Sequence, residues 1–264
     1  MPTRSSRTAE PPARLLAGTS GWSYEAWKGP FYPEDLASRD MLRFYAERLP
    51  AVEVNNTFYR LPRASVLESW ASQVPEGFRF ALKASRRITH LKRLRDAADE
   101  TAYLLETVRA LGERLGALLF QLPPYLRLDL ERLDAFLALL PEGTRAAFEF
   151  RHASWADPAV HERLRARGFA WVIADVEDEP PPAFVTTAPW TYLRLRRPGY
   201  AAADLAGWIA ALKTSSAREA FVFFKHEEDG AGPRLAAELL SLAGARPLRA
   251  GARPARRKPA RSSA

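Results

Sequence analysis

The chain has 264 residues, 47% of them hydrophobic and 27% charged, and it contains no cysteine. That is ample apolar material for one large core, and it excludes disulfides, thiolate metal sites and thiol nucleophiles. The net charge of +8 does not belong to the body of the chain: residues 245–264 carry +7 and residues 1–14 carry +2, which leaves −1 for residues 15–244.

The segment 1–14 is basic and proline-rich and has no apolar stretch behind it, so it reads as a flexible lead rather than a secretory signal. No apolar run approaches the ~20 residues of a membrane span, and the expected location is cytoplasmic, without a membrane partner. Eight short apolar runs then follow: Leu15–Gly21, Ala51–Asn55, Arg79–Lys83, Gly116–Leu122, Ala146–Arg151, Ala170–Asp175, Thr191–Arg196 and Ala220–Lys225. The stretches between them mostly carry helical signals, and strands alternating with helices pair in parallel through right-handed crossovers. Eight such units in one body of 15–244 predict an α/β fold, a single closed (β/α)8 barrel of the TIM type, in preference to a doubly wound open sheet. The Arg/Pro/Ala-rich segment 245–264 is too poor in apolar surface to fold and is expected to be a disordered tail.

Most of the runs end in a polar or charged residue where a buried strand should have none. Side chains alternate faces along a strand, so neighbours two residues away share a side. Val52 and Val54 belong on the face that meets the helices, which turns Glu53 and Asn55 into the barrel. By the same alternation Phe80 and Leu82 leave Lys83 inward, Phe148 and Phe150 leave Glu149 and Arg151 inward, and Leu193 and Leu195 leave Arg194 and Arg196 inward. Gln121, Asp175 and Lys225 also stand at the ends of their strands and are placed in the same mouth, although both faces of those strands are apolar. Barrel enzymes keep their chemistry at this end. The expected mouth holds three carboxylates and five cations, a balance that favours an anionic ligand gripped by arginine; the alternative is a plug of mutually satisfied ion pairs.

Several chemistries are open to this set. Glu53 and Glu149 are candidate general bases with His152 as a further proton carrier, while the surrounding cations argue against the protonated carboxyl that a glycosidase needs. Lys83 or Lys225 is a candidate Schiff-base amine. No cofactor is expected. His90, His152 and His226 follow strands three, five and eight, so a divalent metal is conceivable, but no metal-ligand spacing supports one. Trp22, Tyr24, Trp27, Phe58, Tyr59 and Trp155 offer a stacking rim. The basic tail and the run Leu82–Asp96 point to the competing class, nucleic-acid binding without catalysis.

The motifs GTSGWSYEAWKGPFYP (Gly18–Pro33), VEVNNTFYRLP (Val52–Pro62), PEGFRFALKASRRITH (Pro75–His90), LFQLPP (Leu119–Pro124) and FEFRHASW (Phe148–Trp155) closely resemble those of the YecE-like family, domain of unknown function seventy-two. The resemblance covers Leu16 to Leu240 and implies a TIM barrel; it brings no established reaction. Relatives of this kind carry Asn, Asn and Asp where this chain has Lys225, His226 and Glu227. The residues together predict an enzyme acting on an anionic small molecule or phosphoester. Glu53, Glu149, Lys83 and His152 are its candidate catalytic groups, and Trp22, Asn55, Gln121, Arg151, Asp175, Arg194, Arg196 and Lys225 its candidate binding groups. Nucleic-acid binding and a lysine lyase are the alternatives, and the oligomeric state is left open.

Overall fold

The computed structural model describes residues 14–180 and 182–245. All but one residue of each terminal segment, the 1–14 lead and the 245–264 tail, lies outside the described residues. Eight parallel strands close into a barrel in chain order: β1 (Arg14–Ser20), β2 (Ala51–Val54), β3 (Arg79–Lys83), β4 (Leu115–Gln121), β5 (Ala146–Glu149), β6 (Ala170–Asp175), β7 (Trp190–Leu195) and β8 (Glu219–Phe224), with β8 returning to pair with β1. Closure leaves no strand edge open, which resolves the fold in favour of the (β/α)8 barrel over an open sheet. No helix among the described residues is long and apolar enough to cross a membrane.

Among the described residues six helices connect the strands, α1 (Met41–Ala46), α2 (Ala64–Gln73), α3 (Ala98–Val108), α4 (Leu130–Leu137), α5 (Pro158–Arg167) and α6 (Ala202–Thr214), and a seventh, α7 (Ala231–Leu242), follows β8. Their ends follow local chemistry. Asp157 accepts from the Ala159 amide and Pro158 opens the first turn of α5, which closes on Gly168 in the left-handed conformation. Between β6 and β7 no helix occurs among the described residues. Three successive prolines, Pro180 to Pro182, account for this, since proline withholds the amide a helix interior needs.

The strands sort their side chains into two cores. Val52, Val54, Phe80, Leu82, Phe120, Phe148, Leu193 and Leu195 pack outward in the larger core shared with the helices. Leu16, Ala51, Ala81, Ala117, Leu119, Ala147, Ala170 and Val172 face the axis together with Trp190, Tyr192, Phe221 and Phe223. The interior is lopsided: β2 to β6 contribute mainly alanine, and aromatic rings from β7 and β8 fill the space they leave. Tyr192 lies 5.2 Å from Phe223 and 6.1 Å from Phe221, centroid to centroid. Long side chains of β7 therefore reach across the axis, and this sets the geometry of the mouth. Gly18 makes the closure of β1 on β2 feasible, because a Cβ there would stand 1.8 Å from the Ala51 carbonyl oxygen.

Candidate active site

Arg194, second to last in β7, is the centre of the mouth. Its side chain is 1% exposed and crosses the barrel, with Nη2 donating to Glu53 Oε1 on β2 at 2.7 Å and Nη1 to Glu149 Oε2 on β5 at 2.6 Å. Glu53 is fully buried and satisfied from four sides. Its Oε1 also accepts from Ser20 Oγ at 2.7 Å and Asn55 Nδ2 at 3.0 Å, and its Oε2 from the Tyr192 hydroxyl at 2.7 Å. Glu149 accepts from Gln121 Nε2 at 2.7 Å, and Gln121 Oε1 in turn accepts from Lys83 Nζ at 2.6 Å.

The electrostatics follow from this wiring. Burial pushes both carboxyls up, but the charge and hydrogen bonds of Arg194 overcome it, helped by Arg196 and by Tyr192 or Gln121, and hold each at about 2. Arg194 is itself held above its ordinary value: burial would lower it, but Glu53 and Glu149 more than compensate. The three groups form a closed, fully ionised floor. As general bases the two carboxylates are weak, since a base of such low pKa has little drive to take a proton and each of their four oxygens already accepts a hydrogen bond.

Above the floor lies a second layer of different character. Lys83 is held at about 8, first by burial and then by Arg194, against the opposing pull of Glu149 and Glu53. Its ammonium sits 4.2 Å from the centroid of the Phe58 ring. Arg196 stands two residues beyond Arg194 on the same face of β7; burial lowers its pKa, and its nearest carboxylate contact is 4.0 Å, to Glu149. The Nε atoms of both Arg194 and Arg196 are buried without an acceptor among the described residues. Arg151 is more exposed and approaches Glu149 at 3.8 Å. Among the described residues the upper layer of Lys83, Arg151 and Arg196 thus has no carboxylate of its own and shares Glu149 with Arg194, so that four cations stand over two carboxylates and the mouth keeps a net positive charge.

Four expected members stand elsewhere. Asp175 shares the outward face of β6 with Ile173, where Oδ2 accepts from Arg197 Nε and from the Tyr200 hydroxyl, both at 2.9 Å. The run AWVIAD is apolar on both faces, so alternation carried no signal there. Trp22 packs on Trp70 at 5.0 Å and on Phe80, in the helix-facing core rather than in the mouth. His152 turns back to bind Ser154, with Nδ1 accepting from its amide at 3.1 Å, and caps a short turn. Lys225 is solvent-exposed just past β8 and touches no member of the floor. Of the other proposed rim aromatics, Trp27 and Trp155 are buried, with their indole N–H groups bound to the backbone oxygens of Glu227 and Leu126. Phe58 remains beside Lys83, and Tyr59 stands against Phe58.

Two contributors were not picked out from the sequence, Ser20 and Tyr192. Tyr192 lies two residues before Arg194 and so shares its inward face; the signal was present, hidden in an aromatic that looks like core. Among the described residues no three His, Asp or Glu side chains converge as a metal would require. In the basic run Leu82–Asp96, Arg87 and Lys92 both pair with Glu100, and Lys83 faces the barrel.

A family model described as "Protein of unknown function DUF72" matches residues 16–260. The UPF0759 protein YunF of Bacillus subtilis is 28% identical over 179 residues, 63% of this chain and 61% of that protein. The UPF0759 protein YecE of Escherichia coli O157:H7 is 31% identical over 167 residues, 61% of this chain and 59% of YecE. The matched part thus spans about three fifths of these relatives' length. Among solved structures, a DUF72 family protein of Thermotoga maritima superposes with a TM-score of 0.75 at 25% identity, covering 88% of this chain and 99% of that one. A DUF72 family protein of Enterococcus faecalis, at 20% identity and a TM-score of 0.72 over 87% of this chain and 95% of that one, shares the fold.

Proposed function

Because the chain belongs to the DUF72 family, whose members are of unknown function, kinship brings no reaction with it, and we propose from the geometry that the barrel is an enzyme for an anionic small molecule. The observation that carries this reading is the upper layer itself: Lys83, Arg151 and Arg196 over a floor whose two carboxylates are already bound to Arg194. A guanidinium as buried as that of Arg196, with its Nε unmatched, is costly unless an acceptor completes it. A phosphate or carboxylate of the ligand supplies one. The proton-transfer group is Lys83 rather than Glu53 or Glu149. It is the member that both reaches the mouth and titrates, at about 8, near a working pH. Glu53 and Glu149 act at one remove, holding Arg194 and through Gln121 the Lys83 amine.

A second reading shares this site. An amine held at about 8 is half unprotonated at mildly basic pH and is competent to condense with a carbonyl, which favours the lysine lyase as runner-up. The nucleic-acid reading rests on a tail outside the described residues and on Arg86, Arg93 and Arg95, which stand among the exposed Asp96 and Asp99.

The test is ligand-induced thermal stabilisation with phosphate, sulfate, small carboxylates and short oligonucleotides. A ligand of the folded state at ~100-fold excess over Kd adds ~2.7 kcal/mol. Stabilisation by a small oxyanion, lost in Arg196→Ala, is the expected result. No response to any small anion, together with oligonucleotide binding that requires residues 246–264, replaces the enzyme with a barrel tethered to nucleic acid.

A further inference from the structure

The mouth has an aromatic side. Six large hydrophobic side chains are exposed among the described residues, and three of them, Tyr59 (70% exposed), Leu91 (63%) and Tyr125 (63%), stand on three successive loops at the C-terminal end of the barrel, those following β2, β3 and β4. The other three lie on helices. Scattered exposed apolar residues are ordinary; three on successive connections at the same end of a barrel as its cationic mouth are not.

These loops are also held in place. Thr57 donates to the carbonyls of both Val54 and Lys83, which ties the loop of Tyr59 to the end of β3. The loop of Leu91 contains Arg93, Leu94 and Asp96 with positive φ, a conformation costing roughly 1–2 kcal/mol for each residue with a Cβ. Burial of Leu94 and the bonds from Lys92 to Asp96 and Glu100 secure it. The loop of Tyr125 is pinned through the Leu126 carbonyl to Trp155 and through the Leu128 amide to Ser154.

A chain of ring contacts joins Tyr59 to Lys83. The Lys83 ammonium lies 4.2 Å from the Phe58 centroid, and Phe58 lies 5.1 Å from Tyr59 and 4.9 Å from His90, edge to face in both cases. Tyr59 is therefore no more than about 9 Å from the Lys83 nitrogen, a distance one small molecule spans. Phe58 already has one face under Lys83, whereas Tyr59 is largely open. Resting on the anion-binding reading above, we infer that the ligand is an anion carried on a flat aromatic ring. Its charge is met by Lys83 and Arg196, and its ring stacks on the side formed by Tyr59, Leu91 and Tyr125.

The experiment compares inorganic phosphate, cyclohexyl phosphate and phenyl phosphate as ligands of the full chain by calorimetric titration. Phenyl phosphate is expected to bind about tenfold more tightly than the other two, the size of a favourable ring-on-ring contact. The double variant Tyr59→Leu, Tyr125→Leu is expected to bring it down to the affinity of inorganic phosphate. Equal binding of all three, or of the cyclohexyl and phenyl esters, overturns the aromatic assignment and leaves the anion site standing. A phenyl preference that survives in the double variant puts the ring elsewhere and also overturns it. Binding of none of the three removes the anion site and the inference together.

Discussion

Replacing Arg194 by methionine is the perturbation most fully determined by the structure. It removes the only cation among the described residues in contact with both Glu53 and Glu149, at 2.7 and 2.6 Å, and leaves two buried carboxylates behind. Breaking a buried pair from one side costs about 3–5 kcal/mol. Ser20, Tyr192 and Asn55 still serve Glu53, so the lower half of that range is expected, which in a domain of this size is a fall of about 10 °C in Tm. The pH dependence gives the sharper signature. In the parent both carboxyls are held at about 2 against an ordinary 4.5, so their contribution is complete above 4.5 and is lost as the pH falls towards 2. Without Arg194, burial prevails and both carboxyls rise above 4.5; the folded variant then gains stability by taking up protons as the pH drops from 7 to 5. The deficit, measured by urea unfolding at pH 7, 6 and 5, should therefore shrink steadily with acid. Adding Glu53→Gln and Glu149→Gln should recover part of it, since no buried carboxylate is then left unpaired, although Arg196 loses its contact with Glu149. A deficit below about 1 kcal/mol at pH 7, or one that does not change from pH 7 to 5, would falsify the closed ionic floor.

Other expectations follow from the same geometry. Pyridoxal 5′-phosphate, an aldehyde bearing a phosphate, should condense with Lys83, releasing water, and borohydride should fix the imine as a secondary amine; peptide mapping with preferential labelling of Lys225 or surface lysines would count against the placement of Lys83. The rate of that labelling should rise with pH through about 8. Gln121→Ala removes the oxygen that accepts from Lys83 at 2.6 Å and a donor to Glu149, so Lys83 should titrate lower still and stability should fall by about 1–3 kcal/mol. Asp175→Asn should weaken the loop held by Arg197 and Tyr200 but leave anion affinity within about twofold, and abolished binding would return Asp175 to the mouth. Gly18→Ala should cost about 3 kcal/mol or more in urea unfolding, because the Ala51 carbonyl that the new Cβ meets is backbone and has little room to yield.

Much of this architecture was legible in the sequence, and the residues show why. All eight strands lie within two residues of their expected bounds, because short apolar runs separated by helical stretches recur along the chain, and VEV, FEF and LRL alternate as well. The same alternation turns Glu53, Glu149 and Arg194 inward. Where both strand faces are apolar the method had nothing to work on, and Asp175 fell on the wrong side. Trp22 went astray differently: an aromatic in a loop carries no periodicity, and its contact with Trp70 joins residues far apart in the chain. The separation of the charges into a saturated floor and an under-compensated upper layer was out of reach too. It depends on arginine and tyrosine side chains spanning the whole barrel, which they do because alanines on the opposite strands leave the room.

The most direct test of an anion held between Lys83 and Arg196 is the crystallographic position of a tungstate ion, located by its anomalous scattering in crystals of the full chain. The ion is predicted at the C-terminal end of the barrel axis, within hydrogen-bonding distance of Arg196 and Lys83, and absent from Arg196→Ala crystals grown alike. Tungstate found only on surface arginines, with Arg196 folded onto Glu149, would contradict it.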